Sequence, residues 1–163
     1  GGAILPTYDA VFRYNDTHKD DNGEAPMPLI VPANEQGAGF MASGYARASG
    51  KVGVVMVTSG PGATNTVTPV RDCMADSVPI VVICGQVPTT AIGSDAFQEA
   101  PVSAIMGAVA KHIFLVTDSD KLEETVGPAA QSRGEAGRGS QQSGPSGCCS
   151  HPIAWPPSCA ARP

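Results

Sequence analysis

EQGAGFMASGYARASGKVGVVMVTSGPGATN, residues 35–65, is the stretch whose reading decides the fold of this chain. Glu35–Ser49 carries Ala38, Met41, Ala42, Tyr45 and Ala46 at helical spacing, which predicts an amphipathic helix. Val52–Val57 is continuous and β-branched rather than alternating, the pattern of a strand covered on both faces. A Gly-Pro-Gly turn follows and opens a second helix over Ala63–Met74. Val78–Cys84 repeats the buried-strand pattern, and Leu29–Val31 is a short strand candidate ahead of the first helix. Strands separated by helices of this length predict an α/β fold, a doubly wound parallel sheet of βαβ units. Ile4–Tyr14 adds a helix before this block, and Val102–Ala110, His112–Val116 and Asp120–Thr125 add a helix, a strand and a helix start after it. Asn15–Pro28, with paired aspartates and an Asn-Gly step, reads as a long surface loop.

The chain has 163 residues, 42% hydrophobic content and a formal charge of −5, enough for one domain with its own core. Nothing in this balance suggests a nucleic-acid surface, and no apolar run reaches membrane-spanning length. The chain opens on Gly-Gly-Ala without Met or a leader, which suggests a start inside a longer polypeptide. Cys73 and Cys84 sit among apolar residues and read as small buried hydrophobes. Cys148, Cys149 and Cys159 cluster near the end without metal or disulfide spacing, so a non-secreted origin is expected. Composition changes near Pro128. Residues 128–163 hold 17 Gly, Pro and Ser, with 3 basic groups and 1 acidic, against 7 basic and 14 acidic before them. The expectation is therefore a domain over 1–127 and a disordered, frame-shifted or foreign tail over 128–163.

Three segments fall where predicted strands end, at the sheet edge where open α/β proteins place ligands. Thr58–Asn65 (TSGPGATN) lets backbone approach a ligand closely, or is an ordinary tight turn. It matches neither the Walker pattern nor the dinucleotide fingerprint. Asn34–Gly39 (NEQGAG) places the carboxylate of Glu35 at a helix start, to favour the helix dipole or to serve a ligand. Gly85–Pro88 ends the third predicted strand, and the loop Ile92–Glu99 after it mixes an aromatic with polar groups, as pocket linings and packed turns both do. Convergence on one edge favours a site. The histidines His18, His112 and His151 have no metal-ligand spacing, no GxSxG elbow occurs, and Asp20-Asp21 lacks the ligand spacing of a calcium loop.

Taken together, GGAILPTYDA at 1–10, the 35–65 stretch, DSVPIVVICGQVP at 76–88 and AIGSDAFQEAP at 91–101 resemble catalytic subunits of the acetolactate synthase family, most of all its fungal members. The resemblance implies the pyrimidine-binding domain of a thiamine-diphosphate enzyme, incomplete at both ends. It implies a transferase that condenses pyruvate with pyruvate or 2-oxobutyrate in branched-chain (isoleucine and valine) amino-acid biosynthesis. Thiamine diphosphate, Mg2+ and FAD are its implied cofactors, a homodimer or higher oligomer with a regulatory subunit its implied assembly. By the same resemblance, Glu35 is the activating carboxylate that bonds the aminopyrimidine N1′ atom, with a raised pKa expected from desolvation. Thr58, Pro61 and Asn65 lie near the pyrimidine. Phe97 and Gln98 line the substrate approach, and Ala3, Pro88 and Ala96 form the rim where inhibitors bind. Pro6 and Tyr8 carry less weight.

The chain also departs from the family. Asn34, Phe40 and Ser43 stand where the family has His, His and Glu, and Asn15–Pro28 is longer than its counterpart. The SGRPGP turn expected after Val116, and the FAD-contacting arginine and substrate-side lysine beyond it, have no match in residues 127–149. Neither the FAD-binding domain nor the Gly-Asp-Gly…Asn element for magnesium and diphosphate is within the sequence, and the chain alone is expected to be inactive. A shifted reading frame would explain the tail, and another frame of the underlying DNA would then encode SGRPGPV. Two alternatives stay open: another thiamine-diphosphate decarboxylase or carboligase, or a non-catalytic module that pairs with a complete subunit. Localisation is expected to be mitochondrial for a fungal chain, otherwise plastid or cytoplasmic.

Overall fold

A computed structural model describes residues 2–131, and the stretch 132–163 of the expected tail lies outside the described residues. A 3-10 turn, Gly2–Ile4, leads into α1 (Leu5–Thr17). A long connection reaches α2 (Glu35–Ser49), followed by β1 (Gly53–Val57), the single-turn α3 (Pro61–Thr64), α4 (Val67–Ala75) and β2 (Ile80–Cys84). After a 3-10 turn at Thr89–Ala91 come α5 (Val102–Gly107) and, behind another at Ser119–Lys121, α6 (Leu122–Gln131). The last helix thus runs four residues into the stretch read as tail.

β1 and β2 pair in parallel, in register from Gly53 opposite Ile80 to Val57 opposite Cys84. This is the βαβ unit expected from the sequence, with α3 and α4 as its crossover. α2 packs on one face of the pair. Its Ala42, with Val55 and Val57, forms the core, and Ala38, Ile80, Val82 and Cys84 pack around it. Gly53 makes the approach possible: a Cβ at that position would sit 2.3 Å from the Ala42 carbonyl oxygen. Arg47 on α2 clamps α4 through Asp76 at 2.7 Å and Asp72 at 3.4 Å.

Four expectations need correcting. Leu29–Val31 is not a strand, and Ile30 and Val31 are 71% and 84% exposed. His112–Val116 is likewise irregular. In the described residues the sheet has only β1 and β2, so neither segment has a ladder to satisfy its backbone groups. β1 is not covered on both faces: Gly53, Val55 and Val57 are buried while Val54 is 59% exposed. The Ala63–Met74 helix breaks at Asn65–Thr66, because Pro69 has no N–H to give to an i−4 carbonyl. Restarting at Val67 puts Pro69 in a first turn, where that N–H would be unpaired anyway.

The remaining predicted helices and strands match with shifted ends. α1 absorbs Asn15–Thr17 from the predicted loop, and the Asn15 amide closes the rest by exchanging two hydrogen bonds with the Met27 backbone at 2.6 and 2.9 Å. Cys73 is buried and Cys84 half-buried, both as free thiols, and burial pushes the Cys84 thiol up. No described helix is long and apolar enough to cross a membrane.

Candidate functional site

The start of α2 is organised by Asn34. Its extended backbone and its Oδ1, which accepts from the Gly37 N–H at 2.7 Å, make it the N-cap. Side-chain capping is therefore done one residue before Glu35. The Glu35 carboxylate, half-buried, instead accepts from Nδ2 of Asn65 at 3.0 Å, 30 residues along the chain. The N-cap hydrogen bond thus belongs to Asn34, while Glu35 keeps its charge in the first turn of α2 and also pairs with Asn65.

The Asn65 amide is the largest influence on Glu35 and holds its carboxyl below the usual glutamate value; the Glu35 backbone N–H adds to this, and partial desolvation opposes it. The raised pKa expected from burial is thus corrected. A carboxylate this accessible keeps much of its hydration, so a charge-stabilising donor outweighs desolvation.

Asn65 owes its position to the turn before it. Gly60 sits at φ 50, ψ −109, in a region that an L side chain rarely adopts, and a Cβ there would meet the Gln98 carbonyl oxygen at 2.2 Å. Pro61 then starts α3, and Asn65 ends it. One helical turn therefore connects the Gln98 backbone at its start to Glu35 at its end. Thr58, just before the turn, is 7% exposed, and its hydroxyl is buried without a hydrogen-bond partner.

On the Gly60 side lies a cleft of about 580 Å3, lined by Gly2, Ala3, Pro6, Ser59, Gln86 and Val87, and by Pro88, Phe97 and Gln98. Backbone of the N-terminal turn approaches the end of β2 closely, since a Cβ on Gly85 would sit 2.8 Å from the Ala3 carbonyl carbon. Phe97 is 88% exposed, a large apolar ring presented to the outside.

Of the residues singled out in the sequence, Ala3, Pro6, Pro88, Phe97 and Gln98 share this cleft. Glu35 and Asn65 form the hydrogen-bonded pair, and Thr58 and Pro61 flank the turn that links pair and cleft. Two residues stand apart. Ala96 does not line the cleft, and Tyr8 instead donates its hydroxyl to the Met56 carbonyl at 3.2 Å, tying α1 to β1.

Glu99 was not among the residues singled out, yet it organises the loop. Its carboxylate accepts from the backbone N–H groups of Gly93 at 2.5 Å and Ala96 at 3.1 Å. Those bonds, Gly93 first, hold its carboxyl below the usual range. They also help to keep Asp95 and Gln98 at φ 54 and 61, uncommon values for residues with side chains. An acidic residue six positions after a loop glycine was the available signal, but a loop staple leaves no periodic pattern. Ser59 and Gln86 of the cleft wall lie within segments read as candidate loops but were not named individually. Among the described residues no group of three or more His, Cys, Asp or Glu is gathered for a metal.

Comparison with known proteins shows the family of the chain. Residues 1–106 match the family model of the thiamine pyrophosphate enzyme N-terminal TPP binding domain. The chain is 55% identical over 131 residues to the mitochondrial acetolactate synthase catalytic subunit of Aspergillus candidus, covering 80% of this chain and 17% of that one. The corresponding subunit of Saccharomyces cerevisiae is 55% identical over 122 residues, covering 75% and 16%. The acetolactate synthase of Mycobacterium bovis is 48% identical over 129 residues, covering 79% and 19%. The chain thus spans less than a fifth of the length of these relatives. With its βαβ unit, its glycine turn and a paired glutamate at the sheet edge, the chain belongs to the thiamine pyrophosphate enzymes and carries their N-terminal TPP binding domain.

Proposed function

We propose that this chain is the pyrimidine-binding part of an acetolactate synthase catalytic subunit, a transferase that releases CO2 from one pyruvate and joins the remaining two-carbon unit to a second pyruvate or to 2-oxobutyrate. The observation that carries this reading is the Glu35–Asn65 pair, a carboxylate freed from capping and held beside the Gly60 turn. Similarity to the fungal and mycobacterial synthases supports the reaction class. Residues 1–127 form the domain in this reading. If the chain is fungal, the mitochondrial naming of its fungal relatives supports a mitochondrial location.

The residues present suit an aminopyrimidine. Glu35 offers an anionic acceptor, and the Thr58 hydroxyl is a buried polar group without a partner. Thr58, Pro61 and Asn65 would surround the ring, with Glu35 against its N1′ atom. When bound, thiamine diphosphate supplies an acidic thiazolium C2–H whose removal creates the nucleophile for 2-oxoacid chemistry. Glu35 holds or releases a proton at N1′, work that a positioned carboxylate does through general acid–base catalysis. Asn65 orients that carboxylate. Phe97 and Gln98 line the approach of the 2-oxoacid; Ala3 and Pro88 form the outer rim, to which the resemblance also assigns Ala96, although it lies outside the cleft. Magnesium, FAD, subunit pairing and a regulatory subunit belong to the complete enzyme in this reading.

The test is a graft. Residues 1–127 replace the matching segment of the yeast subunit, and acetolactate formation is measured with thiamine diphosphate and Mg2+ supplied. The expected result is an active chimera in which Glu35→Gln lowers turnover by about 10²- to 10⁴-fold. A chimera indifferent to Glu35→Gln would refute the assignment.

A further inference from the structure

We infer that Asn65 is a positioning residue for Glu35: by holding Oε2 it fixes the carboxylate in one orientation and leaves the other oxygen, Oε1, to meet the ligand. The inference rests on the reading of Glu35 as the carboxylate that meets the cofactor ring, and it deepens that reading by dividing the two oxygens between two tasks.

The geometry supports this in three ways. Nδ2 of Asn65 is 3.0 Å from Oε2, and no other side chain of the described residues donates to the Glu35 carboxylate. No Lys, Arg or His of the described residues forms an ion pair with Glu35, so no cation fixes its rotamer. Asn65 is itself held, because it closes α3: its backbone N–H reaches the Pro61 carbonyl at 3.0 Å. The donor therefore belongs to the rigid turn set by Gly60, while the acceptor sits on the first residue of α2. A neutral amide can do this without competing for the proton, since Nδ2 only donates and cannot take the proton that Glu35 must exchange.

The consequence is chemical as well as geometric. A donor to the charged form favours ionised Glu35. The carboxylate is then charged and oriented before any ligand arrives, and would meet the ring N1′ through one shared proton. Removing the donor frees the rotamer and weakens that preference together.

The experiment has two arms. In the 163-residue chain labelled with 13C at glutamate carboxyls, and with Glu35→Gln to assign the signal, the Glu35 midpoint is titrated for the parent, Asn65→Ala and Asn65→Asp. The inference expects a midpoint below free glutamate in the parent and higher in both variants. Asn65→Asp preserves shape, so it keeps the result decisive if Asn65→Ala unfolds. Unchanged midpoints in a folded variant overturn the inference.

In the yeast graft, Asn65→Ala and Asn65→Asp are expected to lower kcat by about 10- to 100-fold. KM for pyruvate should hold while the acid limb of the pH profile moves to higher pH; a loss confined to KM with an unmoved profile overturns the inference. Glu35→Gln separates the two failures. If it leaves the graft active, the role of Glu35 falls, while the titration still decides whether Asn65 positions it.

Discussion

The two faces of the short sheet differ sharply. Toward α2, Val55 and Val57 are each 3% exposed, and the helix lies close enough that Gly53 has no room for a Cβ. On the other face of β1, Val54 is 59% exposed. All five residues of β2 are half-buried, beside a groove of about 1980 Å3 lined by Ile80–Cys84, Met106, Ile113, Phe114 and Val126 among others. The strand sequences are equally apolar, so composition does not make the difference. What does is the presence on one side of a helix with small residues at its contact line.

Four measurements would break or sharpen that comparison. The largest effect is expected for Gly53→Ala, whose methyl would meet backbone atoms of Ala42 at 2.3 and 2.8 Å. Backbone cannot rotate away as a side chain can, so a loss of about 3 kcal/mol is expected in urea unfolding. A midpoint like that of the parent would mean α2 does not hold β1 as described.

Next comes a pair of adjacent valines. Val55→Ala should cost about 2 kcal/mol, the loss expected on trimming a buried valine, and Val54→Ala less than about 0.5 kcal/mol. Equal costs would show that both faces are covered in solution.

Smaller, and opposite in sign, is Gly44→Ala. A Cβ at Gly44 meets nothing within 4 Å, although it lies in the same helix. Stability should rise by about 0.5–1 kcal/mol from helix propensity alone, readable as a higher urea midpoint.

The slightest effect concerns the loop rather than the core. Glu99 has a folded-state pKa below its unfolded one, because Gly93 and Ala96 donate to its charged form. Its contribution is therefore complete above about pH 4.3, the value for free glutamate, and is lost as pH falls through the lower folded value. Amide exchange at Gly93 and Ala96 should accelerate across that acid window while the Val55 amide stays protected. Simultaneous loss at all three would mean that the loop is not an independent unit. Glu99→Gln should give fast loop exchange at neutral pH as well, since an amide accepts through only one oxygen.

Much of the site was legible before any coordinates. EQGAG at a predicted helix start and TSGPGATN at a strand-to-helix turn placed Glu35 and Asn65 at the same sheet edge, and the fold bonds them. Less legible was the state of Glu35. Desolvation was expected to govern it, whereas the donor 30 residues away governs it instead. Glu99 was missed for a related reason: a carboxylate that staples backbone amides three and six residues before it leaves no hydrophobic period to read.

The sequence by itself determined the local elements of the central block: the helix begun at Asn34–Glu35 and ended at Gly50, the apolar strands, and the glycine turn between β1 and α3. These follow from capping chemistry, side-chain period and the backbone freedom of glycine, all short-range properties of the chain. Tertiary structure alone decided which apolar runs became strands. Leu29–Val31 and His112–Val116 have the composition of β1 but no ladder partner among the described residues. A strand is satisfied only by hydrogen bonds to another strand, whereas a helix satisfies its own. The same holds for Glu35: its carboxylate is written in the sequence, but the donor that lowers its pKa is a neighbour that only folding brings near.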